Sequence, residues 1–583
     1  MRTNARPLVS PAQAHRAVPF FIAALGVFTF LPGLRSPRFL DDYLHTLMVD
    51  GRFPVQRSPF NLYDFIGDSE RVVFTERGLL PWWAHPELKL RFFRPVSSAL
   101  MWFEQRVLGF GVGMQHVHSF AWWLIAVLAA RALFRRLLGE RAALLATLVF
   151  AFAPCHALPL SWIANRNALL SLAFGTLALN AYVAWRTQRR ARNGLASLVL
   201  FALALLSGEY ALCFGGYVVA FELTRTTDRV AQRVLGLLAF FAPAAGYLVV
   251  RHALGYGTVG SGFYVDPLAE PWDFLRVAPL RLASLLGNGW LTLGTDTWLL
   301  GRAWEWVIFP CIGLLAVGIA LLLRRTYAAL PPEQRSQARW LLIGSLLSIL
   351  PVLSAVPSPR LMGIALLGIA LQVGLILDQA WFPEPSVVRT RAFEWVGVAA
   401  TVLGFMHFVH GPVTGWLGAS TIQRSANRFV SDVAWIEKRL HALQASEVVV
   451  LRGAVDSFFG PFALVVLGGP WTRWDILSDP QHLLTLRRDA STLELVAPED
   501  SSLSPSDGFS LFRGAGLPLQ ANEEHRAARF TLRVLAVSEF GPTRARITFD
   551  EPIGEGQLWI SRRGGRLHET PPPRIGYGIP SDR

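Results

Sequence analysis

AVPFFIAALGVFTFLPGLRSPRFLDDYLH, residues 17–45, decides the fold. Its first part, Ala17 to Leu34, is an apolar run about as long as a helix needs to cross a hydrocarbon core of ~30 Å. Its second part places two adjacent carboxylates, Asp41 and Asp42, a few residues beyond that run. Arg2, Arg6 and Arg16 precede the run, as in a secretory leader. No small-residue cleavage site follows it and many more apolar runs come later, so the stretch reads as an uncleaved first membrane helix.

Further runs lie near 117–134, 142–159, 164–185, 195–210, 211–224, 234–250, 304–323, 340–356, 361–381 and 394–411. The pair 195–224 must break near Ser207-Gly208-Glu209 to make two short crossings. Helices are expected throughout, because backbone groups in lipid have to be satisfied within the segment. A region at 282–300 is interrupted by Asn288, Gly289, Gly294 and Asp296, and reads as an interfacial or re-entrant element.

Composition agrees. Of 583 residues, 52% are hydrophobic and only 16% are charged, against about one quarter charged in a soluble domain. Disordered, fibrous and ordinary soluble classes are thereby excluded. The net charge of +14 comes almost wholly from arginine. Those arginines cluster between apolar runs: Arg135, Arg136 and Arg141; Arg186, Arg189, Arg190 and Arg192; Arg225, Arg229 and Arg233; Arg324, Arg325, Arg335 and Arg339; Arg389 and Arg391. Every second connection is thus arginine-rich, which is how the positive-inside rule looks in sequence, and the pattern argues against a nucleic-acid partner. It puts the N-terminus (1–16) inside and the C-terminus outside. Three cysteines, all in or beside apolar runs, give neither a disulfide framework nor zinc-type spacing. Arginine used in place of lysine suggests a GC-rich bacterial source, hence a bacterial plasma (inner) membrane.

The fold expected is an all-α polytopic membrane bundle of about eleven transmembrane helices over 17–411, carrying a C-terminal extracytoplasmic mixed α/β, β-rich domain over 412–568. Outer loops at 35–115 and 252–303 are long enough to be functional. The first holds Trp82, Trp83, Phe92, Phe93 and Trp102, which suits helices lying at the membrane interface. In the outer domain Trp435 to Leu443 reads as an amphipathic helix, Val448 to Leu451 as a buried strand and 462–467 as an apolar element. Strands are expected at 492–496, 529–537, 545–549 and 557–561. The tail 569–583, with Pro571-Pro572-Pro573, is expected to be loose. No nucleotide-binding glycine loop is present.

The candidate chemistry begins at Asp41-Asp42-Tyr43-Leu44-His45. On a helix the two acids lie ~100° apart with His45 in reach of either. One carboxylate could take a proton from an attacking hydroxyl while the other holds a partner or a metal; capping aspartates at a helix start are the structural alternative. Arg94, in Arg91-Phe92-Phe93-Arg94-Pro95, offers a fork suited to phosphate, or snorkels to headgroups. His116 and His118 point ~200° apart on a helix and cannot share a metal there. His156 and Arg166 frame a polar turn on the outer side, Glu209 sits between two apolar runs, and Arg360, in Pro357-Ser358-Pro359-Arg360, is a further phosphate candidate.

Order and sidedness make the set more specific than its members. An acidic pair directly after the first helix, on the outer face of a polytopic chain, resembles the GT-C class of membrane glycosyltransferases. It is similar to the bacterial relatives of the tetratricopeptide-containing O-mannosyltransferases and, more distantly, to the protein O-mannosyltransferases. Phe93-Arg94-Pro95 resembles their arginine-proline motif, His118 matches a histidine there, and His156 to Leu170 resembles their histidine-to-arginine stretch. Ser207-Gly208-Glu209 resembles their serine-lysine-glutamate. The resemblance covers about 15–225. Asn167 stands where an aspartate is usual, Gly208 replaces the lysine, and the tetratricopeptide repeats are missing.

The resemblance implies a transferase that moves a sugar from a polyprenyl-phosphate donor to a protein or glycan acceptor hydroxyl outside the membrane, by inverting displacement. Asp41 or Asp42 would be the base, with His45, Arg94, His118, His156, Arg166, Glu209 and Arg360 around substrate and phosphate. It names no metal ligand and leaves a divalent metal open. The alternatives are a non-catalytic membrane assembly factor, which the two departures favour, and a lipid-carrier transporter, which would need paired broken helices that the sequence lacks.

Overall fold

The computed structural model describes the chain except residues 1–10, 226–227, 268–269, 297–303, 384–390, 454–457, 480–481, 506–509, 515, 555 and 580–583. Arg2, Arg6 and Arg389 lie outside the described residues. The chain forms two compact units. One comprises residues up to Pro37, Val107–Val250 and Asp266–Gln423; the other comprises Arg38–Arg106, Arg251–Val265 and Arg424–Arg583.

The first unit is helical. Among the described residues seven helices are long and apolar enough to cross a membrane, or eight if a bent pair counts as one. That pair, Glu140–Ala151 and Pro154–Ser161, bends by 45° where Pro154 cannot continue the backbone ladder. Shorter apolar helices at Ala191–Ser207 and Leu366–Trp381 also belong to the bundle. The expected break falls at Gly208: the helix Ala191–Ser207 stops there, a 3-10 turn covers Glu209–Cys213, and a new helix runs Phe214–Thr224. Small residues bring helices close, as membrane packing requires. A Cβ on Gly374 would meet the Ala146 backbone nitrogen at 2.7 Å. Toward the predicted inner end, Arg186 bonds Glu222 at 2.6 and 2.8 Å and Asp228 at 2.8 Å. One arginine of the inner series is therefore a buried tie between helices.

Of the 282–300 region, residues 282–291 are the end of a helix, Pro271–Leu291, which is not among the candidate spans, and 297–300 lie outside the described residues. The last apolar run continues into one long helix, Gly411–Leu443, so the expected amphipathic helix at 435–443 is its final turns.

The second unit is β-rich. A four-stranded sheet runs Arg566–Glu569, Gln557–Arg563, Glu447–Arg452, Arg473–Ile476, with the last two pairings parallel. The 462–467 element is a helix, Gly460–Val466, between those parallel strands. A six-stranded sheet includes the expected strands as Thr492–Val496, Gly541–Phe549 and Phe530–Ser538. Its inward side carries Leu493, Leu495, Leu532, Val534 and Ile547, all buried, in the alternation that one covered face imposes. The tail is tied rather than loose as far as it is described: Gly578–Ile579 pairs with Leu484–Arg487, because a strand edge there still had unpaired backbone to offer.

The outer loop 35–115 also departs from expectation. Most of it folds with the C-terminal residues. Trp82 and Trp83 are buried in that unit and lie on no helix. The Trp82 indole donates to Leu477 O at 3.0 Å and Arg513 Nε donates to Trp83 O at 2.6 Å. Indole wants apolar contact plus one acceptor, and a protein core supplies both as well as a membrane interface does.

Candidate functional site

The sequence-predicted residues divide between the units. Asp41, Asp42, His45 and Arg94 belong to the β-rich unit; His118, His156, Arg166, Glu209 and Arg360 belong to the helical one.

In the β-rich unit, the helix Asp41–Val49 starts directly after Leu40, whose φ of 44° is a left-handed value that a leucine adopts only when the surroundings impose it. Such a residue costs about 1–3 kcal/mol. What holds it is visible. Asp42 is 4% exposed, and its Oδ2 accepts the Phe39 N–H at 2.9 Å, closing the turn around Leu40. Thr46 donates to Asp42 O at 2.8 Å and accepts from Arg38 Nε at 3.0 Å. The two acids are therefore not equivalent. Asp42 is built into the turn, whereas Asp41 is half-buried at the first helical position. Burial and the Asp42 charge push the Tyr43 phenol up to about 12, against the opposing pull of Arg38.

His45 is fully buried, with its ring 4.7 Å from Tyr63 and 5.4 Å from Phe65. Burial, and then the Arg94 charge, push it down to about 3, with the Leu62 backbone carbonyl opposing. It is a neutral packing residue near neutrality and does not reach out to phosphate as the sequence suggested.

Arg94 immediately precedes the helix Pro95–Trp102. Its guanidinium carbon lies 4.5 Å from the Phe92 ring centre and 5.0 Å from that of Tyr63. Tyr63 thus touches both His45 and Arg94. Both contacts are within cation–π range. Arg91 is committed elsewhere: Nε and Nη2 bond Asp64 at 3.0 and 2.9 Å, and the group sits 4.7 Å from Tyr256. Arg57 adds a bond to the Asp64 carbonyl at 2.6 Å. Strands Asp64–Ile66, Lys89–Arg91 and Gly257–Val259 form the small sheet that fixes these groups. Tyr63, Asp64 and Tyr256 are contributors that sequence reasoning missed. The one signal was Arg91, a half-buried arginine in the short strand Lys89–Arg91 that pairs with a buried carboxylate.

In the helical unit, Arg166 is 2% exposed. Its Nε donates to Ser119 Oγ and its Nη2 to Gln115 O, both at 2.8 Å, tying the helix Arg166–Gln188 to Val112–Leu137. His116 meets Leu160 O and Ser36 O, each at 3.0 Å. His118 accepts the Trp122 indole N–H at Nε2, 3.1 Å away, which leaves its proton on Nδ1 when the ring is neutral. His156 is buried among Phe30, Trp123 and Phe150, with Nε2 2.9 Å from Phe150 O. It packs the bent pair rather than facing a substrate.

Three segments of this unit meet: 154–166, 208–213 and 359–364. Arg360 lies over Trp162 at 5.9 Å. Tyr210, next to Glu209, donates to Leu361 O at 3.2 Å and accepts the Ile364 N–H at 2.9 Å. Glu209 and Arg360 are therefore on latched segments. The two departures from the resembled pattern also face one another: a Cβ on Gly208 would lie 3.2 Å from Asn167 Nδ2 and 3.1 Å from Ser171 Oγ. Among the described residues no three His, Cys, Asp or Glu side chains gather as a metal-holding group.

No protein-family description and no curated protein matches the chain. Solved structures with a similar trace include the Archaeoglobus fulgidus oligosaccharyltransferase tethered with an acceptor peptide, at 12% identity and TM-score 0.43 over 77% of this chain and 63% of that one. ArnT from Cupriavidus metallidurans bound to undecaprenyl phosphate is similar at 14% identity and TM-score 0.40 over 80% and 86%. This chain spans under two thirds of that oligosaccharyltransferase's length. Identities this low say nothing about individual residues.

Proposed function

We propose that the chain is a multi-pass membrane glycosyltransferase of the GT-C type, with its N-terminus inside and its acidic turn outside a bacterial inner membrane. It moves a sugar from a polyprenyl-phosphate donor to an acceptor hydroxyl by a single inverting displacement. The observation that carries the reading is the division of labour at residues 40–42. Asp42 holds a strained Leu40, and Asp41 stands beside it, half-buried, at the first helical position. Strain kept at such a point is the mark of a positioned group.

In this reaction Asp41 accepts the proton of the acceptor hydroxyl as its oxygen attacks the anomeric carbon. The bond from that carbon to the phosphate oxygen breaks on the opposite face, which inverts the centre. Arg94, lying over Tyr63 and Phe92, meets the charge that grows on the departing phosphate. Asp42 is a positioning residue that acts through the turn.

The test is glycan and lipid-extract profiling of a deletion strain complemented with wild type, Asp41→Asn or Asp42→Asn. Wild type restores the missing glycan and Asp41→Asn does not, at equal protein level. Full restoration by both variants removes the proposed base. The paired loss at Asn167 and Gly208 favours a second reading, a non-catalytic assembly factor. Under it, both aspartate variants restore the strain while truncation of the β-rich unit does not.

A further inference from the structure

The helical unit holds a cavity that the proposed reaction does not use. It encloses about 580 Å³ and is walled by Leu286, Trp290, Ile312, Leu315 and Leu342. At one end stand three arginines, Arg324, Arg335 and Arg339. The helix Glu305–Ala328 that forms one wall is nearly bare, with Leu314 74% exposed and Val317 and Leu321 more than half exposed. In a membrane these positions face lipid, so the cavity opens sideways into the bilayer.

The charge at its end is uncompensated. Among the described residues, none of the three arginines has a carboxylate within ion-pair distance. Arg335 Nη2 donates to Leu330 O at 3.1 Å, which fixes the side chain at the turn between helices Glu305–Ala328 and Pro332–Ile349. Its Nε is buried with no hydrogen-bond partner. Three cations held together without counter-charge repel one another, and a bound anion relieves that.

Dimensions select the kind of anion. From Ile312 to Ala328 the wall is about 24 Å long at 1.5 Å per helical residue. One leaflet of a ~40–45 Å bilayer, headgroups included, is about that deep. An inorganic anion would leave the apolar wall uncovered, and a zwitterionic lipid would bring its own cation into the arginine cluster. We infer that this groove binds an acidic glycerophospholipid, its phosphate on Arg324, Arg335 and Arg339 and one acyl chain along Ile312, Leu315 and Leu342. Basic pockets between helices are a general form of lipid recognition. With the sidedness proposed above, the lipid belongs to the inner leaflet.

The full chain, purified in non-ionic detergent, is exchanged with equimolar phosphatidylglycerol and phosphatidylcholine, and bound lipid is read by native mass spectrometry. Wild type retains phosphatidylglycerol several-fold over phosphatidylcholine. Arg324→Gln with Arg339→Gln lowers that retention about tenfold, and so does Ala316→Trp, which fills the groove without touching a charge. Arg136→Gln, at another helix end, leaves retention unchanged. No preference in the wild type, or equal retention in both groove variants, overturns the inference. If undecaprenyl phosphate displaces phosphatidylglycerol at equal concentration, the groove is a carrier site and the phospholipid assignment falls. The readout is lipid retention, so loss of the transferase reading leaves it standing.

Discussion

Arg94 and Arg166 look alike in sequence, each beside an apolar run, yet the two units use them in opposite ways. Arg166 is almost wholly buried and spends its donors on Ser119 and a backbone carbonyl of the neighbouring helix. Arg94 is half-buried and held by aromatic faces. A guanidinium whose edges are committed to backbone is architecture. One that lies over aromatic rings is held by cation–π contact instead. The aspartates repeat the lesson one residue apart: Asp42 is bound into a turn and Asp41 is not buried with it.

The largest expected effect breaks the comparison at the acids. Asp41→Asn should lower transfer by about 10²–10⁴-fold, the range for loss of a general base, with unchanged thermal unfolding. Asp42→Asn should lower it less and should also lower the unfolding temperature, because the Phe39 N–H loses a charged acceptor. A larger loss of transfer in Asp42→Asn than in Asp41→Asn would reverse the roles. The arginines should part in the same way. Arg166→Gln should cost about 3 kcal/mol of stability and be seen first as lost protein in membranes. Arg94→Ala should keep the protein level and cost about 10²-fold in rate. Arg94→Lys should recover only part of it, since a lysine brings charge without the stacked plane.

His45 gives a smaller effect with a definite sign. Its folded value of about 3 lies below the ordinary 6.5, so the unfolded chain binds a proton that the folded chain refuses. The stability that comes from keeping it neutral is complete above pH 6.5 and falls as the pH drops toward 3. At pH 5 the loss is about 2 kcal/mol. Unfolding temperature measured from pH 7.5 to 5 should fall more steeply in wild type than in His45→Phe. Parallel curves would mean that the imidazole is reached by water.

Much of this was legible in the sequence, for a physical reason. Lipid demands a minimum run of apolar residues, so the long helices were readable from length; of about eleven spans expected, seven or eight are long enough among the described residues, and Ala191–Ser207 and Phe214–Thr224 are short helices on either side of the break at Gly208. Strands such as Thr492–Val496 were readable from alternation. What local pattern cannot carry is the joining of distant segments. Nothing near residue 82 says that Trp82 will find a carbonyl at Leu477, and nothing near Arg91 points to Asp64 or Tyr256 as its partners. His45 and His156 looked available because polar side chains near a motif are read as ligands. The packing of rings around them was invisible until the elements met.

The smallest expected effect sharpens the comparison inside the helical unit. Gly208 and Asn167 face each other at a helix break, where the resembled enzymes place a lysine and an aspartate. If the two positions form one electrostatic unit, restoring either half alone should be unfavourable. Gly208→Lys buries a cation beside an amide and crowds Ser171, and Asn167→Asp places an anion at a position only 7% exposed. The double variant should be more stable than the sum of the singles by about 1 kcal/mol or more. A cycle of unfolding temperatures in detergent reads this coupling, and additive losses would show that the two positions are independent. Transfer measured on the same four proteins bears on function separately. If the double variant folds and works no better than wild type, the chain performs its reaction without that ion pair. A gain in transfer would mean that the pair had been a working part whose loss weakened the enzyme.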